Sequence, residues 1–150
     1  MIRKILISGT FILIALSYSS AQSRPFGLGL VIGEPTGISG KYWFNENNAV
    51  DGAMAWNYNY EGFFHVHADY LWHWTDIIEV DQGTLPIYVG VGGRVGFGDD
   101  IRVGARVPVG IEYIFDNEMF DIFIEVAPLL DLVPGTEFGV QGGIGGRYFF

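Results

Sequence analysis

The chain has no cysteine, which excludes a disulfide framework and any thiolate metal centre. Basic residues are scarce, 8 Lys and Arg against 17 Asp and Glu for a net charge of −9. That balance speaks against nucleic acid and against docking on anionic lipid surfaces. Beyond residue 21 only two serines occur, Ser23 and Ser39, which leaves little for hydroxyl-based nucleophilic chemistry. No glycine spacing, including Gly90-Val91-Gly92-Gly93, matches a dinucleotide fingerprint followed by a helix. Past the first twenty-odd residues no apolar run reaches the roughly 20 residues of a spanning helix.

What is present is glycine, 22 in 150 residues, and aromatics at 16%. Glycine weakens helices and aromatics favour strands, so little of the chain reads as helix. The length suits one domain. Residues 1–21 begin with Arg3 and Lys4, continue with an apolar core from Ile5 to Leu16 and end on Ser19, Ser20 and Ala21, the layout of a cleaved secretory signal. The expected division is therefore a signal peptide at 1–21 and one domain at 22–150. Removing the signal leaves six basic residues against seventeen acidic ones.

The rest of the chain alternates. Eight strands are expected, near residues 26–32, 38–44, 50–60, 63–74, 85–97, 101–115, 120–127 and 138–150, separated by turn-forming clusters such as 33–37, 45–48, 61–62, 98–100, 116–118 and 133–136. The fourth is the cleanest: Phe64, Val66, Ala68, Tyr70, Trp72 and Trp74 face one way, and His65, His67, Asp69, Leu71 and His73 the other. The last, FGVQGGIGGRYFF, sets Phe138, Val140, Ile144, Tyr148 and Phe150 against Gln141 and Arg147. Short connections between alternating strands predict an all-β, eight-stranded antiparallel up-and-down barrel. Pro86, Pro108 and Pro128 fall inside expected strands, where bulges or early strand ends are anticipated.

Charge decides which face is inside. Lys41, Arg94, Arg102, Arg106 and Arg147, together with Asp51, Asp69, Glu112, Asp121 and Glu125, all share the faces opposite the aromatic and aliphatic ones. A water-soluble ligand-carrying barrel would show the reverse, so the pattern calls for lipid outside and an ion-paired polar interior. Following the strand directions gathers Tyr42, Phe44, Trp72, Trp74, Tyr113, Phe115, Tyr148 and Phe150 at one rim, and Trp56, Tyr58, Tyr60, Phe64, Phe97 and Phe138 at the other. An eight-strand barrel has just enough interior for side chains, so no open diffusion pore is expected, with the inward glycines making room for the arginines.

Strand number, alternation and the final aromatic residue resemble the small eight-stranded outer-membrane β-barrels, the class of the transmembrane domain of outer membrane protein A. The resemblance implies an outer-membrane location, partnership with outer-membrane lipids, and recognition of the last strand by the barrel-assembly machinery through Tyr148 and Phe150. It also puts the turns at Asn45, Thr75 and Asp116 in the periplasm, and a monomer is expected. Those barrels usually carry their long loops outside, whereas here the longest connection, 75–84, falls on the periplasmic side. The favoured function is a structural or envelope role without catalysis or cofactor. A narrow porin for small solutes is the first alternative and a lipid A-modifying barrel enzyme, using Ser39, the second. His65, His67 and Asp69, spaced two apart on one face, are candidates for a metal such as Zn²⁺, set against the plainer reading of interior hydrogen-bonding groups.

Overall fold

The computed structural model describes residues 24–150 apart from 35, 58–62, 99 and 134. The expected signal peptide, Tyr58, Tyr60 and the 61–62 turn therefore lie outside the described residues. Among the described residues there are nine strands: β1 (Phe26–Glu34), β2 (Thr36–Trp43), β3 (Asn48–Asn57), β4 (Phe63–Trp74), β5 (Ile87–Phe97), β6 (Ile101–Arg106), β7 (Val109–Ile114), β8 (Phe120–Val133) and β9 (Glu137–Phe149). All pairings are antiparallel. β4, β3, β2, β1, β9 and β8 follow one another, β8 pairs with β6 and β7, both of these pair with β5, and β5 closes on β4. Closure gives each described strand a partner on both sides, which lessens the usual liability of a sheet edge.

β6 and β7 are two halves of one strand. Gly92 faces Arg106 and Val89 faces Val109 along β5, and Arg106 faces Leu129 while Val109 faces Val126 along β8, so the register is the same on either side of the gap. The expected strand 101–115 is thus interrupted at Val107-Pro108, and the ring has eight members. Prolines explain the break. Gly90 N donates to Pro108 O and Val107 N donates to Pro128 O, both at 2.9 Å, but neither proline has an N–H to return the bond. Two ladder bonds are lost at one spot.

Pro128 does not end its strand. β8 continues to Val133 with Pro128 outward and opposite Val140, a correction to the expected end near residue 127. The irregularity in β8 comes later, where the pairing steps from Val103–Val133 to Gly104–Asp131. Pro86 precedes β5. The hairpin at 33–37 is tighter than the turn cluster suggested, since β1 runs to Glu34 and β2 starts at Thr36.

The two faces separate cleanly. Leu30, Ile32, Ile124, Val140 and Ile144 are between 58% and 71% exposed, whereas Leu71, Tyr88, Phe123 and Phe149 are at most 5% exposed and fill the interior. Among the described strand residues on the outer face, none between the rims is charged. At one rim, ring contacts run from Trp72 through Tyr70 and Phe44 to Tyr42, and from Tyr113 through Phe115, Phe120, Tyr148 and Phe150 to Phe26. At the other, Trp56, Phe64 and Phe97 touch in series.

The inward glycines serve bulky neighbours, which differs from the expectation that they accommodate arginines. A Cβ on Gly110 would run into the Tyr88 ring, one on Gly145 into the Phe123 ring, and one on Gly27 would stand 2.6 Å from Phe149. Each aromatic lies across the bare backbone of the next strand. Gly145→Val should therefore lower the urea midpoint of the folded barrel by an amount equivalent to about 1–3 kcal/mol, while Gly93→Val, whose nearest contact would be 3.5 Å away, should leave it nearly unchanged.

Candidate functional site

The strand alternation that turns aliphatics outward carries polar side chains from seven of the eight ring members into the lumen, where they form three tiers. In the tier nearest the connection at 75–86, Lys41 on β2 donates from Nζ to Glu112 Oε2 on β7 at 2.6 Å and lies 2.8 Å from His73 Nε2 on β4. His73 Nδ1 is 3.1 Å from the Asn47 carbonyl. A carbonyl only accepts, so the ring hydrogen belongs on Nδ1 and Nε2 accepts from Lys41. Arg147 on β9 donates from Nε to both Asp121 oxygens at 3.1 and 3.0 Å, and its Nη2 is 2.9 Å from Asp121 Oδ2 and 3.7 Å from Glu112 Oε1. Asp51 Oδ2 lies 3.8 Å from Nη1, and the guanidinium sits over Phe123 at 4.1 Å.

The middle tier centres on Arg106. Its Nε is 3.1 Å from Asp69 Oδ1, Nη2 donates to Glu125 Oε2 at 2.8 Å, and Nη1 donates to Gln141 Oε1 at 3.1 Å. Tyr88 donates to the other Glu125 oxygen at 3.0 Å. In the third tier Arg94 holds Asp131 through two parallel bonds, Nε to Oδ1 at 2.9 Å and Nη2 to Oδ2 at 2.5 Å. Such a fork fits a carboxylate with little freedom left to either partner.

Nine of the ten residues proposed as an interior ion-pair set thus meet in the lumen, with Arg94 paired to a carboxylate outside that set. The tenth does not. Arg102 sits at the rim, 36% exposed along its side chain and 4.0 Å from Glu137, itself 70% exposed, which corrects its placement among interior ion pairs. Asp131, which sequence reasoning passed over, is 3% exposed and occupies the place opposite Arg94. Its signal was present: Asp121, Phe123, Glu125, Ala127, Leu129 and Asp131 keep the inward alternation straight through Pro128.

The histidine strand does not assemble a metal centre. His67 Nδ1 lies 3.1 Å from Asp69 Oδ2, while His65 Nδ1 is 3.4 Å from Gln141 Nε2 and its ring meets His67 edge-on at 5.8 Å. Among the described residues no three His, Asp or Glu side chains converge as a metal would require. Ser39 is buried and lies in one lateral row with Ala53 and His67. Two strand spacings, roughly 9–10 Å along the wall, separate it from that imidazole, too far for a nucleophile and its base.

The final strand pairs with β8 from Glu137 to Tyr148 and with β1 from Gly142 to Phe149. Tyr148 and Phe150 point outward and touch each other at 5.2 Å, while Phe149 between them turns inward at 3% exposure.

No protein-family model matches the sequence, and no curated protein does. The fold is similar to that of the N-terminal β-barrel domain of Pseudomonas aeruginosa OprF, with a TM-score of 0.67 and 15% identity over 83% of this chain and 96% of that one. Neisserial surface protein A (NspA) matches over 83% of this chain and 93% of its own at 14% identity, with a TM-score of 0.48. The likeness to OprF is one of fold, that of a small eight-stranded barrel of the outer-membrane type.

Removing one partner of a buried ion pair strands the other charge, at a cost of about 3–5 kcal/mol, whereas replacing both with apolar groups is often neutral. Arg94→Met should therefore destabilise the folded barrel in urea titrations by roughly that amount, and Arg94→Met with Asp131→Leu should recover most of the loss.

Proposed function

We propose that the chain is a monomeric integral protein of the bacterial outer membrane whose closed, ion-paired lumen suits a structural role in the envelope, without catalysis. The observation that carries this reading is the inversion of polarity across one wall: charge inside, an uncharged aliphatic belt outside, and aromatic residues at both rims. From Phe64 to Trp74 along β4 is ten residue steps, about 34 Å at about 3.4 Å each. A tilt of about 40° leaves about 26 Å of height, against roughly 25 Å for the apolar band of outer-membrane barrels.

A filled interior supports a closed barrel over a porin. Lys41, His73, Glu112, Asp69 and Asp121 have fully buried side chains, and pairing is what makes buried charge tolerable. The separation of Ser39 from His67 argues against acyl transfer. Pairing of β1 with β9 closes the ring, which supports a monomer, and Tyr148 with Phe150 would present the last strand to the assembly machinery. The connections at 45–48, 75–86 and 116–118 would then face the periplasm.

Three measurements test the reading. The exported protein should fractionate with the outer membrane and migrate faster on gels before boiling than after. Purified barrel in planar bilayers should give no large, steady conductance, and a conductance of that kind would favour the porin alternative. Phe150→Ser should reduce the amount of folded barrel reaching the membrane several-fold without altering the urea midpoint of the fraction that folds.

A further inference from the structure

At the end of the barrel that carries the 45–48, 75–86 and 116–118 connections, a vestibule of about 670 Å³ opens between the turns. Arg24, Glu46 and Asp116 line its sides, and Trp43 and Phe149 reach it from the wall. The two aromatics are held differently. Phe149 is 3% exposed, packs against Gly27, and has its backbone tied at both ends, N to Met119 O at 2.7 Å and O to Arg24 Nη1 at 3.3 Å. Trp43 is only half-buried and is the last residue of β2. Its indole rests on two polar neighbours, with Lys41 Nζ 4.2 Å from the ring centroid and the His73 ring at 4.3 Å, tilted by 42°.

Beneath that indole the side chains of Lys41, His73 and Glu112 have no solvent exposure. From there charged groups continue inward through Arg147, Asp121 and Asp51 to Asp69, which faces Asp51 across β3 and β4, and on to Arg106 and Glu125. Trp43, partly solvated, thus lies between the open vestibule and the head of a charged column, where Lys41 Nζ is also 5.5 Å from the Tyr88 ring centroid.

We propose that Trp43 is a lid over Lys41, whose swing into the vestibule admits water and small ions to the first tier of the lumen. This rests on the reading of the chain as a closed membrane barrel and adds to it the place where closure is weakest. Three features favour it. The contact that holds the indole down is a cation–π and ring contact, weak beside the bidentate pairs deeper in. The vestibule offers room for the displaced ring. Lys41 keeps Glu112 at 2.6 Å and His73 at 2.8 Å, so opening the lid exposes the ammonium without leaving it unpaired.

Lys41 is the one lysine beyond residue 4, so an amine reagent reports on this lid alone among side chains. The folded protein, in detergent micelles and in bilayers, is treated with a membrane-impermeant acetylating ester, and acetylation of Lys41 is followed by peptide mass spectrometry. Trp43→Ala and Trp43→Leu should each accelerate it about tenfold or more, Trp43→Phe should fall close to wild type, and Trp74→Ala, on the lipid face, should change nothing. Should Trp43→Ala fail to fold, Trp43→Leu carries the same test. Equal rates in wild type and in the folded Trp43 variants overturn the proposal, as does acceleration by Phe149→Leu alone. Heat-modifiable mobility, recorded on every sample, tests the barrel reading separately: its loss in wild type would defeat that reading, whereas its retention with unaltered Lys41 rates defeats only the lid.

Discussion

Everything in this structure follows from closing a two-faced sheet on itself with the polar face inward. A strand wall has no third side: residues alternate, so every aliphatic group that meets the exterior places its neighbour in the lumen. Charge put there must be neutralised within a space one side chain deep. Arg147, Arg106 and Arg94 each answer a carboxylate or set of carboxylates contributed by other strands. The ion pairs therefore link strands remote in sequence, such as β2 to β7 and β5 to β8, while the Arg147–Asp121 pair falls on the register of the β8–β9 ladder.

The packing of the interior is a negotiation between these charges and a few large rings. Tyr88, Phe123 and Phe149 lie over glycines of adjacent strands, which lets bulky groups occupy a narrow tube without pushing its wall apart. Tyr88 also reaches Glu125, and Phe123 supports the Arg147 guanidinium, so the aromatic and ionic components hold each other in place. Trp43, at the mouth where the wall meets the turns, rests instead on the side chains of Lys41 and His73.

Much of this was legible in alternation alone. Eight members of the ring, the inward position of Lys41, Asp51, Asp69, Arg94, Arg106, Glu112, Asp121, Glu125 and Arg147, and the aromatic rims follow from a period of two and the sign of each side chain. The misplacements came where a local rule met a tertiary one. Pro128 reads as a strand end, yet its missing N–H faces Val107, beside the gap that Pro108 makes, so β8 loses one bond and continues, carrying Asp131 into the lumen. Arg102 obeys the inward alternation but stands one residue from the start of β6, where a long side chain reaches solvent and Glu137. Which carboxylate each arginine takes depends on stagger between strands, and no single strand records that.

The central claim is that lipid bathes the outer face, and position-dependent charge insertion tests it most directly. Ile124 lies mid-wall between Ile111 and Ile144 and is 58% exposed, whereas Phe138 stands at a rim. Refolded into bilayers and titrated with denaturant, Ile124→Arg should lose about 2–4 kcal/mol and Phe138→Arg no more than about 1 kcal/mol. Equal, negligible losses at both positions would mean that water reaches the outer face, and would contradict the account.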